Sequence, residues 1–150
     1  MINSLLRLRA EEAADLEVIS TCLQDAIARV DDMTYIPRLR RFAMVVTRFR
    51  WELADEMGDE GGLRVRCGVH FDDVLRVRAQ GIDLTDRAGL LPLLAITCEA
   101  ADYGIAVQLQ FGGGGSILLE AETVTSRIGD IDQGWPTPSR PDHGLDHERV

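Results

Sequence analysis

The 150-residue chain contains no lysine, so its 16 basic residues are all arginines. Arginine carries a planar guanidinium that can donate two parallel hydrogen bonds to a carboxylate or a phosphate. The 25 aspartates and glutamates outnumber the arginines and give a formal net charge of −9. Because this excess repels phosphates over most of the surface, we expect the protein not to bind nucleic acid.

Cysteine is scarce, and long apolar runs are missing. Cys22, Cys67 and Cys98 lie far apart with no CxxC pair, which is unlike a disulfide framework or a zinc ribbon. The first ten residues lack a signal-peptide core, and no apolar run approaches the roughly 20 residues that a membrane-spanning helix needs. The sequence therefore predicts a cytoplasmic protein with reduced thiols, no membrane segment, no metal and no cofactor.

Recognisable catalytic motifs are also missing, and two local patterns have simple structural explanations. The four glycines from Gly112 to Gly115 lack the lysine and the following helix of a phosphate-binding loop, so we expect a hairpin turn. His143 and His147 lie beside Pro141 in a polar tail, which is unsuited to presenting both imidazoles to a metal. No catalytic residue is assigned, and whether the protein is an enzyme stays open.

Strands dominate the remaining pattern. Residues 42–51, 63–71 and 73–79 alternate, in parts, between apolar side chains and arginine, which is typical of strands with one buried and one wet face. The spacing of Leu16, Ile19 and Leu23 predicts a helix over residues 10–24. Residues 25–30 could extend that helix or open a strand, and residues 123–131 are predicted to form a short C-terminal helix.

These elements predict an α+β fold with about seven strands. We expect a mainly antiparallel curled sheet or small barrel, of which a pleckstrin-like barrel is one example, with the N-terminal helix and the short C-terminal helix packed on one face or end. The length fits one globular domain, assigned to residues 1–131. Residues 132–150 form a proline-rich C-terminal tail.

The arginines gather on the predicted sheet and could form a belt if their strands are neighbours. The belt is interpreted either as a solvated face paired with the acidic loop of residues 53–62, or as a docking surface for an acidic partner or a phosphorylated metabolite. Trp51 could supply an apolar anchor beside it. The candidate binding residues are Arg40, Arg41, Arg48, Arg50, Trp51, Arg76, Arg78 and His70.

His70 supports a rival hypothesis. A single histidine on a strand is often only structural, but a pocket near His70, Arg66 and Tyr35 could hold a small anion in an enzyme or a ligand carrier. The leading hypothesis is a non-enzymatic binding or interaction module that self-associates or takes an acidic protein partner. The alternative is a small-molecule binding protein or enzyme, with a phosphorylated metabolite as its ligand.

Eight segments of the chain carry a resemblance to known proteins: residues 23–26, 32–37, 40–42, 48–52, 71–77, 81–83, 93–95 and 130–143. They resemble a family of short bacterial proteins, mainly alphaproteobacterial, that are grouped as a domain of unknown function. The resemblance covers roughly residues 6–143 and implies a bacterial cytoplasmic protein, with residues 135–143 ordered rather than loose. It implies no catalytic residues.

Overall fold

The protein is described by a computed structural model that covers residues 5–50, 62–132 and 134–137. Within these ranges the chain forms ten strands and one α-helix. In chain order they are β1 (Arg7–Ala10), α1 (Ala13–Cys22), β2 (Ile27–Ile36), β3 (Arg41–Phe49), β4 (Gly62–Phe71), β5 (Val74–Gln80), β6 (Leu90–Ala101), β7 (Gly104–Phe111), β8 (Ser116–Ala121), β9 (Ser126–Asp130) and β10 (Trp135–Thr137).

Nine of these strands form one continuous antiparallel path in the order β1-β9-β4-β3-β2-β6-β7-β8-β5, and the short β10 pairs separately with β4. The predicted antiparallel sheet is therefore confirmed. The closed, pleckstrin-like barrel and the number of about seven strands are wrong, because the path does not close and β9 and β10 add strands where a helix and a tail were expected.

The sheet bends over its own core at a corner built around Asp73. Asp73 has a left-handed backbone (φ 60°) that turns the chain sharply between β4 and β5. Its carboxylate accepts hydrogen bonds from the hydroxyls of Thr123 (2.8 Å) and Thr125 (3.2 Å), which lie between β8 and β9. One half of the sheet consists of β1, β9, β4, β3 and β2, and the other of β6, β7, β8 and β5. The chain passes between the halves at the β4–β5 and β8–β9 connections, and these hydrogen bonds join the two connections.

The core lies inside this bend. Inward side chains of both halves form one apolar cluster, and α1 packs against β1 and β6 with Leu16 and Ile19 fully buried. The hydroxyl of Ser20 accepts a hydrogen bond from the backbone N–H of Ile96 (2.9 Å), which follows an irregularity in the pairing of β6 with β7. The N-terminal helix predicted from the spacing of Leu16, Ile19 and Leu23 is confirmed.

The predicted C-terminal helix is wrong, because residues 126–130 form β9. Ser126, Ile128 and Asp130 are buried in strict alternation, and β9 pairs with both β1 and β4. Val124 and Ile128 are buried four residues apart, a spacing that fits both one turn of a helix and the inward positions of a strand, whereas Ile131 is exposed. Residues 25–30, for which a longer helix and a strand were both open, begin a strand: β2 starts at Ile27, and its pairing with β3 shifts register between Ala28 and Met33.

β10 lies inside the segment that we interpreted as a tail. The boundary between residues 1–131 and 132–150 stays a prediction, and residues 138–150 lie outside the described residues.

Candidate functional site

The five strands β1, β9, β4, β3 and β2 carry the candidate site on the face turned away from the core. Along β4, Val65, Cys67 and Val69 point inward and are buried, so the alternating Gly68 and His70 point outward. The same alternation on β9 directs Arg127 and Gly129 outward. This outer face is the surface on which a ligand or partner could lie.

An open groove of about 740 Å³ runs across this face, and we call it the outer groove. Its charged lining consists of four arginines, one histidine and one aspartate, while small and branched apolar side chains form its floor. The lining residues are Arg7, Leu8, Arg9, Asp32, Thr34, Ile36, Arg41, Ala43, Met44, Val45, Gly68, Val69, His70, Arg127, Ile128 and Gly129.

Three of the basic residues form a single row across three neighbouring strands, which we call the cationic row. Arg9 of β1 lies opposite Arg127 of β9, and Arg127 lies opposite His70 of β4. Neighbouring strands are about 4.8 Å apart, so the row offers basic side chains across about 10 Å. Like charges directly opposite each other destabilise a sheet, so a bound anion would relieve this repulsion.

The four arginines of the groove differ in their partners. Arg41 Nε donates to Asp72 Oδ1 at 2.7 Å, and the exposed Arg9 reaches Glu11 at 3.4 Å. Within the described residues no ion pair involves Arg7 or Arg127. These two guanidiniums can therefore donate to a ligand without first breaking an internal ion pair.

His70 lies at the inner end of the cationic row, half-buried between charged neighbours. Its Nδ1 is 3.4 Å from Asp72 Oδ2, and Arg41 and Arg127 flank it. Burial lowers the pKa of His70 below its ordinary value of 6.5; Arg41 and Arg127 lower it further, and Asp72 opposes them. The imidazole is therefore largely neutral at pH 7 and gains charge more easily once an anion lies beside it.

The inner face of the same strands holds a second charged pair. Arg48 Nε and Nη2 donate to the two carboxylate oxygens of Asp130 at 2.9 and 3.0 Å, and both side chains have no exposed surface. Asp130 also accepts the backbone N–H of Leu6 at 2.9 Å. This fork geometry is the one that makes a buried arginine–carboxylate pair tolerable.

Cys67 lies in the same interior, opposite Asp130 in the strand pairing. Burial first, and the negative charge of Asp130 second, raise the pKa of its thiol to about 12, although Arg48 works against this. The thiol stays protonated and unreactive at neutral pH, which suits the predicted buried thiol.

The expected arginine belt is divided among separate parts of the molecule. Arg48 and Arg50 are buried rather than exposed (0% and 3% of the residue surface), so their side chains do not face a docking partner. Trp51 lies outside the described residues. The alternation at the end of β3 breaks, because Arg48, Phe49 and Arg50 are buried in succession.

The remaining candidates lie elsewhere. Arg40 is on the β2–β3 turn and pairs with Glu122 at 2.9 Å, while Arg76 and Arg78 are on β5, where Arg78 pairs with Glu120 at 2.6 Å. Of the predicted set, only Arg41 and His70 line the outer groove together. The binding role of each residue stays a prediction.

The three residues of the rival pocket do not lie together in the structure, and a site near His70 stays a prediction. His70 lines the groove, but Tyr35 faces the core side and donates its hydroxyl to the carbonyl of Val74 at 2.7 Å. Arg66 is exposed on the outer face but pairs with Asp132 at 3.1 Å and is not in the groove lining.

Sequence reasoning missed Arg7, Arg9 and Arg127. Arg7 and Arg9 lie on β1, whose neighbour in the sheet, β9, cannot be identified from the local sequence. Arg127 was hidden by the mistaken helix, because a helix would have directed it away from its strand partners.

The outer groove and the bent open sheet define a class: a small, mainly antiparallel β protein with a basic groove on an otherwise acidic surface. The family model described as "Protein of unknown function (DUF2948)" matches residues 6–143. The chain belongs to this family, which confirms the resemblance at family level; its alphaproteobacterial distribution stays a prediction.

Other comparisons add no relative. No curated protein matches the chain, and no solved structure matches it. In the parts of the chain that are described, no helix is long and apolar enough to cross a membrane. The described residues also contain no cluster of three or more histidine, cysteine, aspartate or glutamate side chains able to hold a metal ion.

Proposed function

We propose that this protein is a bacterial cytoplasmic binding protein that takes a small anionic molecule in the outer groove. The observation that carries the proposal is the concentration of Arg7, Arg9, Arg41 and Arg127 around one groove, with Asp32 the single acid in its lining. The charge of this lining is opposite in sign to that of the whole chain, which is −9. Such a local reversal attracts anions from solution to one place.

Size and chemistry support a small ligand over a large partner. A groove of about 740 Å³ lies within the roughly 300–1,000 Å³ of small-molecule sites. Its apolar floor, which includes Ala43 and Val45, is bordered by a few charged groups, as is usual where polar groups fix a ligand's orientation. A phosphorylated metabolite combines the negative charge and the size that these features favour.

The test uses pyrophosphate as the probe, with binding followed by calorimetry and by the melting temperature at low salt. Wild-type protein should bind pyrophosphate and melt at a higher temperature in its presence, because the ligand binds only the folded state. Arg127→Gln and Arg7→Gln should each weaken binding by about tenfold, since each removes a charged donor.

Arg76→Gln is the matched control, because it removes the same charge from exposed β5, outside the groove. It should leave pyrophosphate affinity within about twofold of wild type. Equal losses in the groove variants and in Arg76→Gln would mean that only net charge matters and would overturn the assignment of the site.

β5 favours a second candidate, an interaction surface for an acidic protein partner or for self-association. β5 ends the strand path and exposes Leu75, Arg76 and Arg78 together. If this surface is the functional one, Arg76→Gln should release a glutamate-rich peptide that Arg127→Gln still retains. The opposite result would favour the outer groove.

A further inference from the structure

The floor of the outer groove holds two glycines side by side. Gly68 of β4 is the direct partner of Gly129 of β9, and both belong to the groove lining. Their row lies two residues along the strands from the cationic row, a distance of about 7 Å. Arg7 of β1 is opposite Gly129 and closes one end of the glycine row, while Val45 of β3 is opposite Gly68 and closes the other.

Nothing in the fold requires glycine at these two positions. Neither residue has a positive φ. A Cβ at Gly68 would meet its nearest atom, Ile131 Cδ1, at 3.7 Å, and a Cβ at Gly129 would meet the carbonyl oxygen of Leu6 at 3.9 Å. Both are ordinary van der Waals contacts, so alanine would fit. Glycine inside a strand weakens it, and one of its uses is to let a ligand approach the backbone closely.

The cationic row beside this flat floor suggests what the ligand carries. Arg9, Arg127 and His70 offer donors from three strands to one anionic group, and a phosphate presents three acceptor oxygens and up to two charges. The bare backbone at Gly68 and Gly129 forms a flat part of the groove floor against which a ring could lie, with the apolar side chains of Val45 and Ile131 beside it.

We propose that the outer groove binds a planar-ringed phosphate of the nucleoside monophosphate class, with the phosphate on the cationic row and the ring over Gly68 and Gly129. This inference rests on the proposed function and adds the ring to it. The phosphate provides the electrostatic attraction, and the ring contacts provide the selectivity against phosphates that have no ring.

The experiment compares adenosine monophosphate, ribose-5-phosphate and inorganic phosphate by calorimetry on wild-type protein and on the double variant Gly68→Ala/Gly129→Ala. Wild type should bind adenosine monophosphate about tenfold more tightly than either ligand that lacks the ring. In the double variant this preference should vanish, while the affinity for inorganic phosphate stays within about twofold. The melting temperature of the variant should be unchanged or higher, because alanine suits a strand better than glycine.

The possible failures are distinguishable. If wild type binds ribose-5-phosphate as tightly as adenosine monophosphate, or if the double variant keeps its preference for the ring, the ring inference is wrong and the anion-binding proposal stands. If none of the three ligands binds, and pyrophosphate does not bind either, both proposals are wrong.

Discussion

The two faces of β9, β4 and β3 place arginine in opposite situations. On the inner face, Arg48 has no exposed surface and makes two hydrogen bonds to Asp130. On the outer face, Arg127 lies between Arg9 and His70 without an ion pair among the described residues. A buried charge must be compensated, whereas a solvated charge need not be. The Arg48–Asp130 pair therefore stabilises the fold, and the cationic row is available to a ligand.

The largest effect should come from breaking the inner pair. Asp130→Asn removes the negative charge but keeps the size, and it takes away the carboxylate that accepts two hydrogen bonds from the buried Arg48. We expect the free energy of unfolding to fall by about 3–5 kcal/mol, measured by urea denaturation. The matched control is Asp132→Asn, which breaks the exposed pair with Arg66 and should cost about 0–1 kcal/mol. Equal losses in the two variants would contradict the structural role of the inner pair.

Two neighbouring valines on opposite faces of β3 should differ, by a smaller amount, in their contribution to the free energy of unfolding. Val46 is buried in the core (1% exposed), whereas Val45 lines the outer groove. Val46→Ala should lower the free energy of unfolding by about 2 kcal/mol, because it removes two buried methyl groups and leaves a small cavity. Val45→Ala should change it by about 0.5 kcal/mol or less. Thermal unfolding of the two variants measures the difference, and a larger loss at Val45 would reverse the assignment of the faces.

A substitution in the cationic row should change the free energy of unfolding in the opposite direction. Arg127→Gln removes the central charge between Arg9 and His70, so it should leave the free energy of unfolding unchanged or raise it by up to about 1 kcal/mol. Arg76→Gln, on β5, controls for the change in net charge. Urea denaturation at low salt would show the effect best, because salt screens the repulsion. A clear loss of stability in Arg127→Gln alone would mean that this arginine supports the fold.

The sequence predicted the inner and outer faces unevenly. Alternation in β4 predicted its strand state correctly, since apolar and polar side chains follow each other there with period two. The same rule failed for Arg48, because alternation assigns a side chain to a face but does not say which face is buried. The contact that buries Arg48 comes from Asp130, 82 residues away along the chain.

The outer groove was even harder to predict, because it forms between strands that are far apart in the sequence. Arg9 and Arg127 are neighbours because β1 pairs with β9, which joins the two ends of the described chain. A single sequence shows the basic residues but not the order of the strands that brings them together. His70 was identified as a candidate, whereas its partners in the cationic row could be found only once β9 was known to be a strand.

The smallest expected effect concerns the protonation of His70, which makes the stability of the folded protein depend on pH. The pKa of His70 in the folded protein lies below its ordinary value of 6.5, mainly through burial, with Arg41 on β3 and Arg127 on β9 acting in the same direction and Asp72 against them. Well above pH 6.5 the imidazole is neutral in both the folded and the unfolded chain, so it contributes no pH dependence there. As the pH falls below 6.5 the unfolded chain binds the proton first, and the stability of the folded state therefore decreases until the folded pKa is reached.

His70→Gln should remove this part of the acid sensitivity, and proton NMR of the imidazole, assigned by its loss in that variant, would measure the pKa directly. A folded pKa at or above 6.5 would show that Asp72 outweighs burial and the two arginines, and the cationic row would then already be charged at His70 near neutral pH.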